Sequence, residues 1–94
     1  MKQKKITKDV GKFYDMVWTK YIPQIEQQKE FLTKHIGLKN IRGKKILDAG
    51  CGTGVVAVCF KLLGAKEVVG IDISEGSLKT ARELAEKHNV KIGY

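Results

Sequence analysis

The spacing of apolar residues changes along the chain and divides it into predicted helices and strands. Between Ile25 and Ile36 these residues follow a helical period, and Gly37 is a typical end for such a helix. The same period predicts a shorter amphipathic helix upstream, which Pro23 interrupts. Its apolar face would be formed by Phe13, Tyr14, Val17, Trp18 and Tyr21. Because proline suits the first turn of a helix, the longer helix is expected to begin near Pro23.

The second half of the chain alternates short apolar runs with longer helical segments. Ser74 is a favourable N-cap, and the segment after it carries an apolar stripe formed by Leu78, Ala81, Leu84 and Ala85. The pattern predicts five elements, in chain order: a buried strand at 46–47, a helix over 55–63, a strand over 66–71, a helix after Ser74 and a strand over 90–94.

This alternation of strands and helices predicts an α/β fold with a parallel sheet. We expect a partial Rossmann-like sheet of βαβαβ order, preceded by N-terminal helices, with the chain ending inside the third strand. Residues 1–43 form a basic tail and helical cap in this interpretation, and residues 44–94 form an incomplete ligand-binding domain. Open α/β sheets bind their ligands at the carboxyl ends of the strands, where the sequence places a glycine-rich loop.

The glycine-rich loop is the segment that points to chemistry. It reads Asp48-Ala49-Gly50-Cys51-Gly52-Thr53-Gly54, directly after the first strand and before a helix. Glycine allows a tight turn and a close approach of the backbone to a ligand. Asp72 follows 22 residues after Gly50, at the end of the second strand, where a carboxylate can accept both hydroxyls of a ribose. The combination predicts a nucleoside-binding site.

The spacing of the glycines bears on which nucleotide this loop binds. The dinucleotide pattern G-x-G-x-x-G needs its last glycine at position 55, which is Val55, whereas the third glycine here is Gly54. Asp48 adds a carboxylate that would repel a pyrophosphate and attract a ligand with a positive charge. An NAD-dependent dehydrogenase is therefore the less favoured alternative.

With these residues in place, the chain resembles a known family. Its segments 46–54 and Val69-Gly70-Ile71-Asp72-Ile73-Ser74 closely resemble the class I S-adenosylmethionine-dependent methyltransferases, most of all the group that methylates small molecules such as quinone precursors. The resemblance covers about residues 44–94. It implies methyl transfer from S-adenosylmethionine to a small-molecule acceptor, which the sequence does not identify.

The resemblance also implies which residues contact the cofactor. Asp48 would face its amino group, and the backbone of the loop, Gly50, Cys51 and Gly52, would pack against its methionine part. Asp72 would bind the ribose hydroxyls and Ile73 would lie against the adenine. The N-terminal helices resemble a cap in which Tyr14 or Trp18 closes over the cofactor. No catalytic base is assigned.

One departure from the family concerns length. The family continues with a fourth strand and the parts that complete the adenine pocket and the acceptor site, so the chain is interpreted as the N-terminal half of an enzyme. The alternative is a non-catalytic module: a cofactor-binding fragment or a subunit that another chain completes.

Charge and composition indicate in which cellular compartment the protein acts and which classes of partner it can bind. Apolar residues make up 43% of the 94 positions, which suits a small folded domain, and no apolar run is long enough to span a bilayer. Cys51 and Cys59 have no partners spaced for zinc, so we expect free thiols, no metal and a cytoplasmic protein. Residues 1–45 hold 12 Lys and Arg against 4 Asp and Glu, which makes RNA a second candidate partner.

The expected strand order leaves one edge of the sheet open. The first strand would pair with the second on one side only, so Lys45 and the following residues to Ala49 would present an unpaired backbone. An open apolar edge pairs readily with another chain. We therefore expect a homo-oligomer, or a partner chain that supplies the missing strands.

Overall fold

The computed structural model describes residues 20–94, and these residues form an α/β fold of Rossmann-like type. The elements are, in chain order, α1 (Tyr21–His35), a 3₁₀ turn (Leu38–Asn40), β1 (Lys45–Ala49), α2 (Val55–Leu62), β2 (Glu67–Ile71) and α3 (Glu75–Lys87). β1 and β2 are parallel, and α2 connects them. The predicted fold class is confirmed, and the aromatic run from Phe13 to Trp18 lies outside the described residues.

α1 begins at Tyr21, two residues before Pro23, so within the described residues the proline does not interrupt the helix. A proline in the first turn removes an N–H that would have no helical partner in any case. The buried face of α1 carries Tyr21, Ile25 and Leu32. At the other end Gly37 has a φ of 88° and its N–H donates to the Leu32 carbonyl at 3.1 Å, which confirms the predicted stop.

A single core joins α1 to the sheet. Ile25, Leu32 and Ile41 are buried together with Val58 and Cys59 of α2 and with Val68 of β2. The Cys59 thiol donates to the Ile25 carbonyl at 3.4 Å, and burial raises the pKa of this thiol to about 11. Cys59 is therefore a neutral packing residue.

β1 was predicted to be buried, and this prediction is wrong. Leu47 is 63% exposed, and Lys45 and Ala49 on the same face of the strand are exposed as well. The core lies on the opposite face, where Val68 and Gly70 of β2 are buried and Ile46 is half-buried. Within residues 20–94, no helix covers the face of Leu47.

The segment 90–94 was predicted to be a third strand, but it makes only one bridge, between Val69 and Gly93. Two bonds form it, from the Gly70 N–H to the Gly93 carbonyl at 2.8 Å and from the Gly93 N–H to the Val68 carbonyl at 3.0 Å. The N–H of Val90 donates to the Ala85 carbonyl of α3, so the first residue of the predicted strand belongs to the turn that ends the helix. The bridge lies on the side of β2 opposite to β1.

α3 follows its predicted pattern. The Ser74 hydroxyl accepts a hydrogen bond from the Ser77 N–H at 3.2 Å, which confirms the N-cap. The predicted stripe is buried: Leu78, Ala81, Leu84 and Ala85. In the part of the chain that the structure describes, no helix is long and apolar enough to cross a membrane, and no three His, Cys, Asp or Glu side chains are grouped as metal ligands.

Candidate cofactor-binding site

The glycine loop between β1 and α2 is tied to the end of β2. The N–H groups of Gly50 and Cys51 both donate to the Ile71 carbonyl, at 2.7 and 2.9 Å. Gly50 and Gly52 have φ values of 74° and 56°, in the left-handed region that side chains with a Cβ disfavour. A β-carbon placed on either residue would have no heavy atom within 4 Å, so both glycines leave open space beside the loop.

Asp72 links the loop to α3. Its Oδ2 accepts from the Gly52 N–H at 2.9 Å and its Oδ1 accepts from the Ser74 N–H at 2.8 Å. The hydrogen bonds from Ser74 and Gly52 hold the pKa of this carboxyl below its ordinary value. Each carboxylate oxygen has a further lone pair, so Asp72 can brace the loop and still accept hydroxyls from a ligand.

Ile73 follows Asp72 and is fully exposed, at 105% of its reference area. A solvent-open cavity of about 310 Å³ lies beside it, lined by Gly50, Ile71, Asp72 and Ile73. The lining combines two large apolar side chains with one carboxylate. Such a surface suits a flat apolar ring attached to a group that carries hydroxyls.

Asp48 lies opposite Gly70 in the register of the sheet, under the start of the loop. Its Oδ2 is buried and has no hydrogen-bond partner among the described residues. Burial raises the pKa of this carboxyl. A buried carboxylate without a partner is costly, and a cationic group would offset that cost. The loop is braced at Gly52 by Asp72 and not by Asp48.

Replacing Asp48 by asparagine is expected to stabilise the protein at neutral pH. Folding raises the pKa of Asp48 above its ordinary value of 3.8, so the protonated carboxyl favours the folded state. This contribution to the free energy of unfolding is fully present below pH 3.8 and is lost as pH rises through the pKa of the folded state. Asp48→Asn has no charge to bury and should therefore raise the free energy of unfolding at neutral pH. The gain is at most about 1 kcal/mol, because the carboxyl is partly solvated. Urea unfolding at several pH values checks this: the gain should disappear in acid, and a less stable variant at pH 7 would contradict it.

Cys51 is a free cysteine of the loop, and it is buried. Burial and the nearby carboxylates of Asp48 and Asp72 raise the pKa of the thiol. A protonated thiol is a poor nucleophile. The side chain therefore serves packing.

A second cavity, of about 330 Å³, lies on the other side of the loop, between Thr53 and the first turns of α1. Three glutamine side chains line it: Gln24, Gln27 and Gln28. Sequence reasoning missed this set, although positions 24, 27 and 28 fall on one face of a helix. The signal is weak because glutamine is also common on solvent-exposed helix faces.

Comparison with known proteins adds to this geometry. The sequence profile of one family, described as a methyltransferase domain, matches residues 40–93. The ribosomal protein L11 methyltransferase of Aquifex aeolicus is 50% identical over 50 residues, which are 53% of this chain and 20% of that protein. The chain spans about a fifth to a quarter of the length of such curated relatives.

Solved structures share the fold. A T. thermophilus 16S rRNA N2 methyltransferase, in complex with AdoMet and guanosine, is 28% identical with a TM-score of 0.62, over 76% of this chain and 19% of that one. The magnesium protoporphyrin IX methyltransferase of Synechocystis, with bound SAM, is 28% identical with a TM-score of 0.56, over 68% of this chain and 30% of that one. By their names, the relatives cover protein, RNA and small-molecule acceptors.

Proposed function

This chain belongs to the methyltransferase domain family, and we propose that it binds S-adenosylmethionine at the glycine loop and contributes this site to methyl transfer. The observation that carries the proposal is the pair of carboxylates at the ends of adjacent strands. Asp72 is ionised, accessible and bonded to the loop at Gly52, whereas Asp48 is partly buried with an unpaired oxygen. Asp72 suits the hydroxyl groups of a ligand, and Asp48 suits a cationic group.

The described residues fit the parts of this cofactor. Asp72 accepts the ribose hydroxyls, and the exposed Ile73 packs against the adenine in the cavity beside Gly50. The half-buried carboxylate of Asp48 faces the ammonium group, directly or through water. The backbone of Gly50, Cys51 and Gly52 lies against the methionine part, where no Cβ of either glycine obstructs the approach.

When bound, S-adenosylmethionine supplies a methyl group on a positively charged sulfur, which is an activated donor. The task of these residues is then to bind and orient, because displacement at such a methyl group depends mainly on the alignment of the two reactants. Asp72 fixes both the loop and the ribose, so one carboxylate sets the position of two parts of the site. The catalytic base is unassigned.

The dinucleotide alternative is disfavoured by the position of the third glycine, which stands at 54 and not at 55. A β-carbon on Gly54 would lie 2.9 Å from the Cβ of Ala81, so Gly54 serves the close packing of the loop against α3. In addition, the negative charge of Asp48 at the start of the loop would repel a pyrophosphate bound there.

We propose a division of the chain into a helical cap over residues 1–43 and a cofactor-binding domain over residues 44–94. For the methyl acceptor we propose a small molecule. RNA is the second candidate. It is favoured by the exposed lysines of the first half, among them Lys34, Lys39, Lys44 and Lys45, and by the rRNA substrate named for one structural neighbour. The non-catalytic alternative is a cofactor-binding subunit that acts only with another chain.

The proposal is tested by ligand preference. Titration calorimetry with S-adenosylmethionine, S-adenosylhomocysteine and NAD should show that the adenosyl ligands bind and that NAD binds more weakly or not at all. The reason is the spacing of the glycines together with Asp48 and Asp72. Tighter binding of NAD, with no detectable binding of either adenosyl ligand, would overturn the proposal.

A further inference from the structure

The side chain of Tyr94 lies under the glycine loop and against β2. A β-carbon placed on Gly70 would come within 2.5 Å of Cε1 and 2.9 Å of Cδ1 of Tyr94, so the ring rests directly on the backbone of Gly70. A β-carbon on Gly54 would lie 2.5 Å from the Tyr94 hydroxyl oxygen. The ring therefore spans from the middle of β2 to the residue at which the loop enters α2.

Two further contacts fix the ring in place. The Cys51 sulfur lies beside the Tyr94 ring above the backbone of Gly70. It is 3.0 Å from the position that a β-carbon on Gly70 would occupy. The preceding residue, Gly93, makes both hydrogen bonds of the bridge to β2, through the backbone of Val68 and Gly70. The backbone thus holds the segment at the strand, and the ring occupies the space that two glycines leave free.

The Tyr94 hydroxyl contributes little to this arrangement. Its oxygen is buried and has no hydrogen-bond partner among the described residues. Burial, with smaller contributions from Cys51 and Asp48, raises the pKa of Tyr94 to about 12, so the group stays neutral. A buried hydroxyl without a partner is unfavourable compared with a hydrogen atom at the same place. What the structure uses at this position is the ring.

We propose that Tyr94 is a positioning residue whose ring supports the glycine loop from below and keeps Gly52 and Asp48 in the arrangement that binds the cofactor. This inference rests on the proposed function. Without the ring, Gly54 would keep only its contact with Ala81 and Gly70 only its contact with Cys51, and a cavity would open between the two glycines. The loop would then move towards β2, and the Gly52 N–H would no longer be aligned with the Asp72 carboxylate.

The test compares three variants by calorimetry with S-adenosylhomocysteine. Tyr94→Phe keeps the ring and should bind within about two-fold of the unmodified chain, with a higher urea midpoint because the unpaired hydroxyl is gone. Tyr94→Ala should bind at least about ten-fold more weakly, since the loop loses its support. Ile92→Ala is the matched control: it removes another half-buried apolar side chain of the same segment and should lower stability but not affinity.

The outcomes separate this inference from the proposed function. If the unmodified chain does not bind an adenosyl ligand, the proposed function fails. If it binds and Tyr94→Ala binds equally well, or if Ile92→Ala loses as much affinity, the positioning role is wrong. A ten-fold loss in Tyr94→Phe would also overturn it, because the hydroxyl would then be the essential group. Where Tyr94→Ala does not fold, Tyr94→Leu supplies the same comparison with most of the volume retained.

Discussion

Replacing Asp72 by alanine is expected to weaken the binding of S-adenosylhomocysteine by about 10- to 100-fold, the range for losing charge-assisted hydrogen bonds. Asp48→Ala should cause a smaller loss. Asp72 serves the ligand and the loop at once, because its two oxygens also accept from the N–H groups of Gly52 and Ser74. Asp48 provides one charge and holds no part of the loop through its buried oxygen.

Two controls make the comparison with Asp72 specific. Ser74→Ala removes the N-cap of α3 and should cost about 1 kcal/mol of stability, yet it keeps the backbone N–H that donates to Asp72 and should keep the affinity. Asp72→Asn keeps one oxygen acceptor and should give an intermediate affinity. Equal affinities for Asp72→Ala and the unmodified chain would show that the ribose is held elsewhere.

The bracing role of Asp72 also predicts a pH dependence. The folded state lowers the pKa of Asp72, so its contribution to stability is present above the ordinary value of 3.8 and is lost as pH falls through the lowered value. Asp48 acts in the opposite sense, because its pKa is raised. Acid unfolding of Asp72→Ala should therefore be less steep than that of the unmodified chain.

The ends and the buried faces of the helices could be predicted because local sequence determines them. Gly37 ends α1 through a positive φ, and Ser74 begins α3 through one side-chain hydrogen bond. The apolar stripe of α3 depends only on a period of 3.6 residues. These features depend on neighbours within five residues, which the sequence shows directly.

The failures concern features that depend on distant residues. Whether Leu47 is buried depends on what lies on its face of the sheet, and the apolar run at 46–47 carries no such information. The bridge at Gly93 depends on Val69, which lies 24 residues earlier in the chain. The bracing role of Asp72 requires the Gly52 N–H, 20 residues away, to meet its carboxylate. Spacing alone could not show which of the two carboxylates does this.

The uncovered face and the outer edge of β1 have a consequence for association. β2 pairs with β1 on one side and with Gly93 on the other, so within the described residues the outer edge of β1 has no partner strand. Leu47 and Ile71 are 63% and 51% exposed on the uncovered face, next to the exposed Ile73. Apolar side chains and free backbone groups together form a surface that pairs readily with another chain.

We expect the chain to self-associate through this surface as salt increases. The net charge of +8 opposes association, and the screening length falls from about 10 Å at 0.1 M salt to about 3 Å at 1 M. Light scattering across this range should therefore show the mass rising from monomer to dimer or larger. Leu47→Lys should keep the chain monomeric throughout, because it places a charge at the centre of the uncovered face.

A matched variant separates the effect of the site from the effect of the added charge. Ile22→Lys makes the same change at a side chain that is 54% exposed on α1, away from the sheet, and should associate like the unmodified chain once salt screens the charge. If both variants stay monomeric at 1 M salt, net charge rather than the sheet governs association. If the unmodified chain remains a compact monomer at high protein and salt concentration, the surface of β1 is not an association site.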